Sequence, residues 1–505
     1  MSGLVVLRSM LQIIPVNGLI DSKCEKGKQD CGEEANVKKK RHYSVYITWI
    51  LLLLCMIAGL KTGIEESVSD VHKKEEGISI QSRLEELFKI GENKDESAQN
   101  TDGENQTEPD GTIENSDKIR VLIMTDGYQE IVHKEAVLSS DQGLVIRSIS
   151  PEGPENSAGM EQTEEIPGNQ EVRIAADDGR FQNGTIKIEA RNNAEITIKN
   201  LQRGYGTPSY AGALELYRTS EGVVIVNELP VEDYLCKVVP SEMPAAYQKE
   251  ALKAQAVCAR NYARRQMEDY AYPEYQAHVN DSTDFQVYNN SASQESASEA
   301  VQETKGQLVK YQGQIVTTYY YSTSCGKTTT MEAWGDADSP GNAYLQSVEV
   351  KDQDGDYEAQ IPWYRWEADI SADVLSKLIC VNTKTDIGTI QNLEITKKGP
   401  GDVVLQIKAT GDKGAVTVDT ENKIRRALGG EGYEICRQDG KKVKSSALLP
   451  SAFFTIEKKE NVYTIKGGGY GHGVGMSQNG ANEMAKKGKN YQEILQTFYP
   501  GTVIE

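Results

Sequence analysis

Eighteen consecutive residues, Tyr43 to Leu60, carry no charge and include the run Ile50-Leu51-Leu52-Leu53-Leu54. As a helix rising about 1.5 Å per residue they would reach roughly 27 Å, enough for a hydrocarbon core. Tyr43, Tyr46 and Trp49 suit the membrane-water boundary on one side. Lys38-Lys39-Lys40-Arg41 precede the run and Glu65 and Glu66 follow it. The positive-inside rule then puts residues 1–42 in the cytoplasm and everything after residue 61 outside. A cleaved signal peptide is the alternative, but the stretch before the run is very long and no clear Ala-x-Ala site closes it. Leu52-Leu53-Leu54-Cys55 also lacks the small residue that a lipoprotein site places before its cysteine. We therefore expect an uncleaved anchor over residues 43–60 and a single-pass protein of the cell membrane.

The next stretch, residues 61–117, reads as an acidic tether. From Glu65 to Asp117 there are sixteen Asp/Glu against five Lys/Arg, a net of −11 out of −20 for the whole chain. In a background of Asn, Gln, Ser, Gly and Thr, too little apolar surface is available to offset the entropy of ordering, which predicts a disordered spacer. Within it, Ile80, Leu84, Leu87 and Phe88 share one helical face. The overall acidity, with a pI near 4.9, argues against nucleic acid as a partner, because phosphate binding needs a basic face.

At Lys118 the pattern changes. Short strand-like runs recur at Lys118 to Ile123, Leu144 to Ser148, Thr185 to Glu189, Ile196 to Ile198, Leu214 to Tyr217 and Val223 to Val226. Helical patterns follow, so residues 118–505 are expected to form a mixed α/β region of the α+β class. Residues 151–170, rich in Glu, Gly, Asn and Pro, read as a surface insertion. Eight cysteines without a CxxC or paired spacing fit neither a disulfide scaffold nor a zinc ribbon.

Three stretches carry candidate chemistry. In Val238-Val239-Pro240-Ser241-Glu242-Met243-Pro244 a carboxylate sits among apolar neighbours and between two prolines. The prolines predict an extended or turn segment at Ser241 and Glu242, with a helix starting near Pro244 and running to about Tyr270. A dry site would raise the carboxyl's pKa toward what a general acid needs, whereas a following helix N-terminus would lower it; the sequence leaves the two in balance. On that helix Lys253 and Arg260 are seven residues apart and share a face, where two cations could hold an anionic or polyhydroxyl ligand or simply face solvent. Last, Lys466 to Ala481 holds six glycines in nine positions, which forces an irregular, close-packed backbone. Its spacing fits neither nucleotide motif, and His472, flanked by glycines, is expected to face a cleft. Ser477 should begin a helix, and Asn490 to Phe498 should make another.

Taken together, Asn-Glu-Leu-Pro-x-Glu-Asp-Tyr-Leu from Asn227, Val-Pro-Ser-Glu-Met-Pro from Val239, Glu-Ala-Leu-Lys-Ala-Gln-Ala-Val-x-Ala-Arg from Glu250, Tyr-Ser-Thr-Ser-x-Gly-Lys-Thr from Tyr321 and Gly-Tyr-Gly-His-Gly-Val-Gly-Met-Ser-Gln-x-Gly-Ala from Gly469 resemble the stage II sporulation protein D family. The same domain occurs in bacterial amidase enhancers. The resemblance covers about Ile119 to Val503. It implies a membrane-anchored peptidoglycan lytic transglycosylase that leaves 1,6-anhydro-MurNAc ends during sporulation-associated wall remodelling. The alternative it implies is a non-catalytic, peptidoglycan-binding enhancer of an N-acetylmuramoyl-L-alanine amidase. By the resemblance, Glu242 is the sole acid and base, and Lys253, Arg260, Tyr470, His472, Ser477 and Gln478 line the glycan cleft. The implied partners are glycan strands, the membrane, and a cell-wall amidase or other sporulation proteins. Sporulation-type members often carry Cys-Asp-Ser-Thr-His-Cys-Gln, whose Cys and His residues bind zinc, where this chain has Asn280-Asp281-Ser282-Thr283-Asp284-Phe285-Gln286. Neither thiol nor imidazole remains there, so no metal and no cofactor is expected.

Overall fold

The computed structural model describes residues 117–149, 163–336 and 339–505. The cytoplasmic segment, the apolar run 43–60, the tether up to residue 116 and most of the 151–170 insertion lie outside the described residues. Among the described residues no helix is long and apolar enough to cross a membrane.

The architecture is α+β. A seven-stranded sheet runs in the order 279–280, 118–123, 223–230, 213–218, 185–190, 144–149, 163–166. All neighbours are antiparallel except Val279–Asn280, which pairs parallel to the first strand. Each strand-like run read from the sequence forms a strand. The expected insertion is shorter than 151–170, because Thr163–Ile166 is a strand paired with Leu144–Arg147.

The chain leaves Val223–Pro230 directly into α1, Val231–Glu242. Its buried face is Val231, Tyr234, Leu235, Val238 and Val239, a helical spacing that packs against the sheet, and Glu232 and Asp233 favour the positive end. This corrects the turn expected at Ser241 and Glu242. Both end a helix that carries Pro240 in its last turn, where apolar burial outweighs the lost backbone bond. Only Met243, the residue before Pro244, is extended. The next helix, α2, begins at Lys249 rather than Pro244 and ends at Gln266. Its alanines at 251, 254, 256, 259 and 263 are buried and let α1 and α3, Glu295–Glu303, pack closely.

A second apolar core, with Trp366, Ile370, Leu375, Ile407, Ile424 and Tyr463 at its centre, lies within residues 366–465. It holds two antiparallel sheets and two helices, α4, Ala372–Thr383, and α5, Glu421–Leu428. Beyond it the chain returns to the first core with α6, Gln478–Lys486, and α7, Tyr491–Phe498.

Candidate functional site

Glu242 is the last residue of α1, at the negative end of that helix, so the backbone dipole raises its carboxyl pKa instead of lowering it. Oε1 accepts the Val287 N–H at 2.7 Å. The Tyr320 hydroxyl also bonds the carboxyl. That hydroxyl accepts from Gln286 Nε2 at 3.0 Å, and Gln286 Oε1 accepts from Tyr234 at 3.5 Å. Burial pushes the carboxyl from 4.5 up to about 7, against the opposing pull of the Val287 and Tyr320 bonds. The phenols facing it, Tyr320, Tyr234, Tyr262 and Tyr128, are all held above the ordinary tyrosine range and stay neutral. A carboxyl that holds its proton near neutral pH amid uncharged groups can both give and take one there.

The backbone of Glu242 is held as well. Its carbonyl accepts from Gln478 Nε2 at 3.1 Å, and Gln478 also reaches Gln255 Oε1 at 3.4 Å. Tyr320 lies on one of two short strands, Tyr320–Tyr321, and Gln478 directly follows the other, Met476–Ser477; they pair in parallel with Tyr320 opposite Met476 and Tyr321 opposite Ser477. Gly475 has φ +76, and a Cβ there would stand 2.1 Å from the Tyr319 carbonyl, so only glycine brings the strands together.

The structure gathers Ser477, Gln478 and Tyr470 around this ladder but assigns the first two to support. Ser477 is buried and caps α6 by accepting the Gly480 N–H at 3.2 Å. Tyr470 is 41% exposed and rests on Trp363 with ring centroids 5.0 Å apart. It alone of that group presents surface to a ligand.

Three expectations are corrected. Arg260 is fully buried, forks onto Glu232 at 2.7 and 2.8 Å, and donates to the carbonyls of Gln307 and Val301. Its donors are spent inside the fold, so it lines no cleft. Lys253 is paired with Glu250 at 2.9 Å and Glu303 at 2.8 Å, which neutralises the cationic face expected on α2. His472 does not project into a cleft. Nε2 donates to the Tyr320 carbonyl at 2.9 Å, Nδ1 accepts the Val474 N–H at 3.1 Å, and the ring lies against Tyr321 and Trp334. Burial holds it neutral, with its pKa lowered to about 4. It fastens the glycine loop to the strand that carries Tyr320.

The residues at the family's zinc positions do not fit a metal. Asn280 Oδ1 already accepts from the Ser282 N–H and hydroxyl at 2.9 and 2.8 Å. Phe285, at a second of those positions, has no donor atom, and Asp284, at the third, is an exposed carboxylate; their neighbour Asp281 is buried, ion-paired with Arg203, and accepts the Met124 N–H at 3.0 Å. The segment is closed by hydrogen bonds within the protein and offers no set of thiolate or imidazole donors.

With this geometry in place, a model of the family described as "Stage II sporulation protein" matches residues 219–311, which carry Glu242 and Gln286. Stage II sporulation protein D of Bacillus subtilis is 30% identical over 306 residues, 58% of this chain and 78% of that protein. The chain belongs to the stage II sporulation protein D family. An uncharacterized protein of Brachyspira hyodysenteriae is 31% identical over 298 residues, 58% of this chain and 72% of its own length. The amidase enhancer of Bacillus subtilis is 30% identical over 292 residues, but only 39% of its length is covered. Residues 341–475 match a domain of unknown function. That span contains the whole of the second core and much of the glycine loop, so within this family member the loop is partly built from a segment of unassigned role.

Proposed function

We propose that this family member is a membrane-anchored lytic transglycosylase of peptidoglycan, with Glu242 as its single acid and base. The observation that carries the reading is the Glu242 carboxyl, half-buried among neutral phenols and pushed up to about 7. Protonated Glu242 gives its proton to the oxygen joining MurNAc to GlcNAc as the bond from the MurNAc anomeric carbon breaks. The MurNAc 6-hydroxyl then bonds that carbon, and its proton returns to Glu242. No water is consumed and no second carboxylate is required, because the nucleophile is part of the substrate. The acid form is lost above pH about 7, so turnover should fall through that range.

The test uses the purified full chain and isolated glycan strands, with products read by mass spectrometry. Products with 1,6-anhydro ends are expected. Glu242→Gln keeps the side chain's shape but cannot deliver a proton, so turnover should drop by roughly 10²- to 10⁴-fold while glycan binding survives. Near-parental turnover in that variant would end the mechanism. The second reading, a non-catalytic amidase enhancer, draws support from the relative that bears that name. It predicts glycan binding and amidase stimulation with no anhydro products from any glycan.

A further inference from the structure

Glu358 lies 116 positions beyond Glu242, inside the span that matches a domain of unknown function. It is fully buried. Oε1 accepts the Ser324 N–H at 2.9 Å and the Ser477 hydroxyl at 2.8 Å, and Oε2 accepts the Ser324 hydroxyl. The Ser324 N–H also reaches Ser477 Oγ at 3.1 Å, so the carboxyl closes a compact ring with both serines. A methyl at Gly480 would stand 3.0 Å from Oε2, so a glycine one turn into α6 gives the carboxyl its close approach. The ionisable groups near it are the Tyr321 phenol, held far above its ordinary range, the Tyr247 phenol, also raised, and Glu483 on α6. No cation among the described residues forms an ion pair with it within 4 Å, so hydrogen bonds alone hold the carboxyl.

The position of those serines gives the carboxyl its reach. Ser324 follows the strand that delivers Tyr320 to the Glu242 carboxyl. Ser477 precedes Gln478, which holds the Glu242 carbonyl. The same pair of parallel strands therefore serves both carboxyls: Tyr320 opens the first strand and Ser324 follows it, while Ser477 ends the second and Gln478 comes directly after it. We propose that Glu358 is a positioning residue for Glu242: it pins the Tyr320 strand to the strand that leads into Gln478, and through it the 341–475 segment holds the Glu242 carboxyl in its half-buried place. This rests on the reading of Glu242 as the acid, but it makes a separate claim about what keeps that carboxyl dry.

The experiment titrates the Glu242 carboxyl directly, by carbon NMR of full-length protein carrying labelled glutamate, with Glu242→Gln identifying the signal. In Glu358→Ala the three donors lose their acceptor, the ladder loosens and water reaches Glu242. Its midpoint should then fall from about 7 by about half a unit or more, roughly a threefold change in proton affinity or larger. Glu358→Gln can accept the same Ser324 N–H and Ser477 hydroxyl and donate to Ser324, so the midpoint should stay at the parental value. A merely structural role would lower the melting temperature but leave the midpoint of the folded protein in place. An unmoved midpoint in folded Glu358→Ala, or an equal fall in Glu358→Gln, overturns the proposal. If Glu358→Ala does not fold, Ser324→Ala, which removes one hydroxyl donor, gives the same reading. Because the titration needs no turnover, parent protein that cleaves no glycan would sink the transglycosylase reading and leave this one standing or falling by itself.

Discussion

Glu242 holds its proton near neutral pH at a cost to the fold. In the unfolded chain its carboxyl ionises above about 4.5, whereas in the folded protein it stays protonated to about 7. The unfolded state thus releases the proton first, and stability contributed at this site declines as pH rises from about 4.5, levelling above about 7. The whole shift corresponds to a penalty on the order of 3 kcal/mol. Glutamine cannot ionise, so Glu242→Gln should be more stable than the parent at pH 8, with the gap closing below about pH 4.5. Urea midpoints measured at both pH values check this, and a gap independent of pH would refute it. The carboxyl itself was legible in the sequence because apolar residues and prolines surround it locally. Its partners were not, since Tyr320, Gln286 and Gln478 are distant in sequence and nothing in their own neighbourhoods marks them as groups that would meet a glutamate. Glu358 was less visible still, as its surroundings are polar in sequence and only the fold buries it.

At the level of single elements, α1 and α2 show where local rules gave way. The prolines at 240 and 244 set the expected helix start, but the apolar face from Val231 to Val239 carried the first helix through Pro240. Lys253 and Arg260 do fall on one side of α2, as the seven-residue spacing implies. The spacing says nothing of what stands opposite, which is Glu232 for one and Glu250 with Glu303 for the other. The loss of Arg260 is therefore expected to act on the fold. Arg260→Ala would take the paired guanidinium from the Glu232 carboxylate and the donor from the Gln307 carbonyl, a cost of about 3–5 kcal/mol. Thermal unfolding should register that loss, and glycan affinity per folded molecule should stay at the parental level. Weakened binding by fully folded Arg260→Ala would return the residue to the cleft. The glycine loop gave the opposite lesson, because its composition correctly marked a close-packed backbone while its histidine turned inward. With no side chains on its flanking glycines, His472 is free to fold back onto the Tyr320 strand.

For the molecule as a whole, the sequence patterns of the sheet strands and terminal helices were readable because each is an alternating or 3.6-period run that packs against one face. The second core was not read as a separate one, since its helix α5 is eight residues long and shows only Ile424, Ala427 and Leu428 as an apolar stripe. Attachment to the membrane is a proposal that rests on Tyr43 to Leu60, which lie outside the described residues. Eighteen uncharged residues would bind a bilayer through apolar transfer, whereas the remainder of the chain, which carries the whole net −20, is repelled by anionic lipid. The two contributions respond differently to salt, because screening weakens only charge-based attachment. Full-length protein should therefore stay with the membrane fraction through washes in about 1 M salt and leave it only with detergent. Replacing Leu52 and Leu53 with lysine should release it, since each charge at the centre of a span costs about 3 kcal/mol. Release of the parent by salt alone would show a peripheral association, and the glycan chemistry proposed for Glu242 would then have to be delivered to the wall by some other attachment.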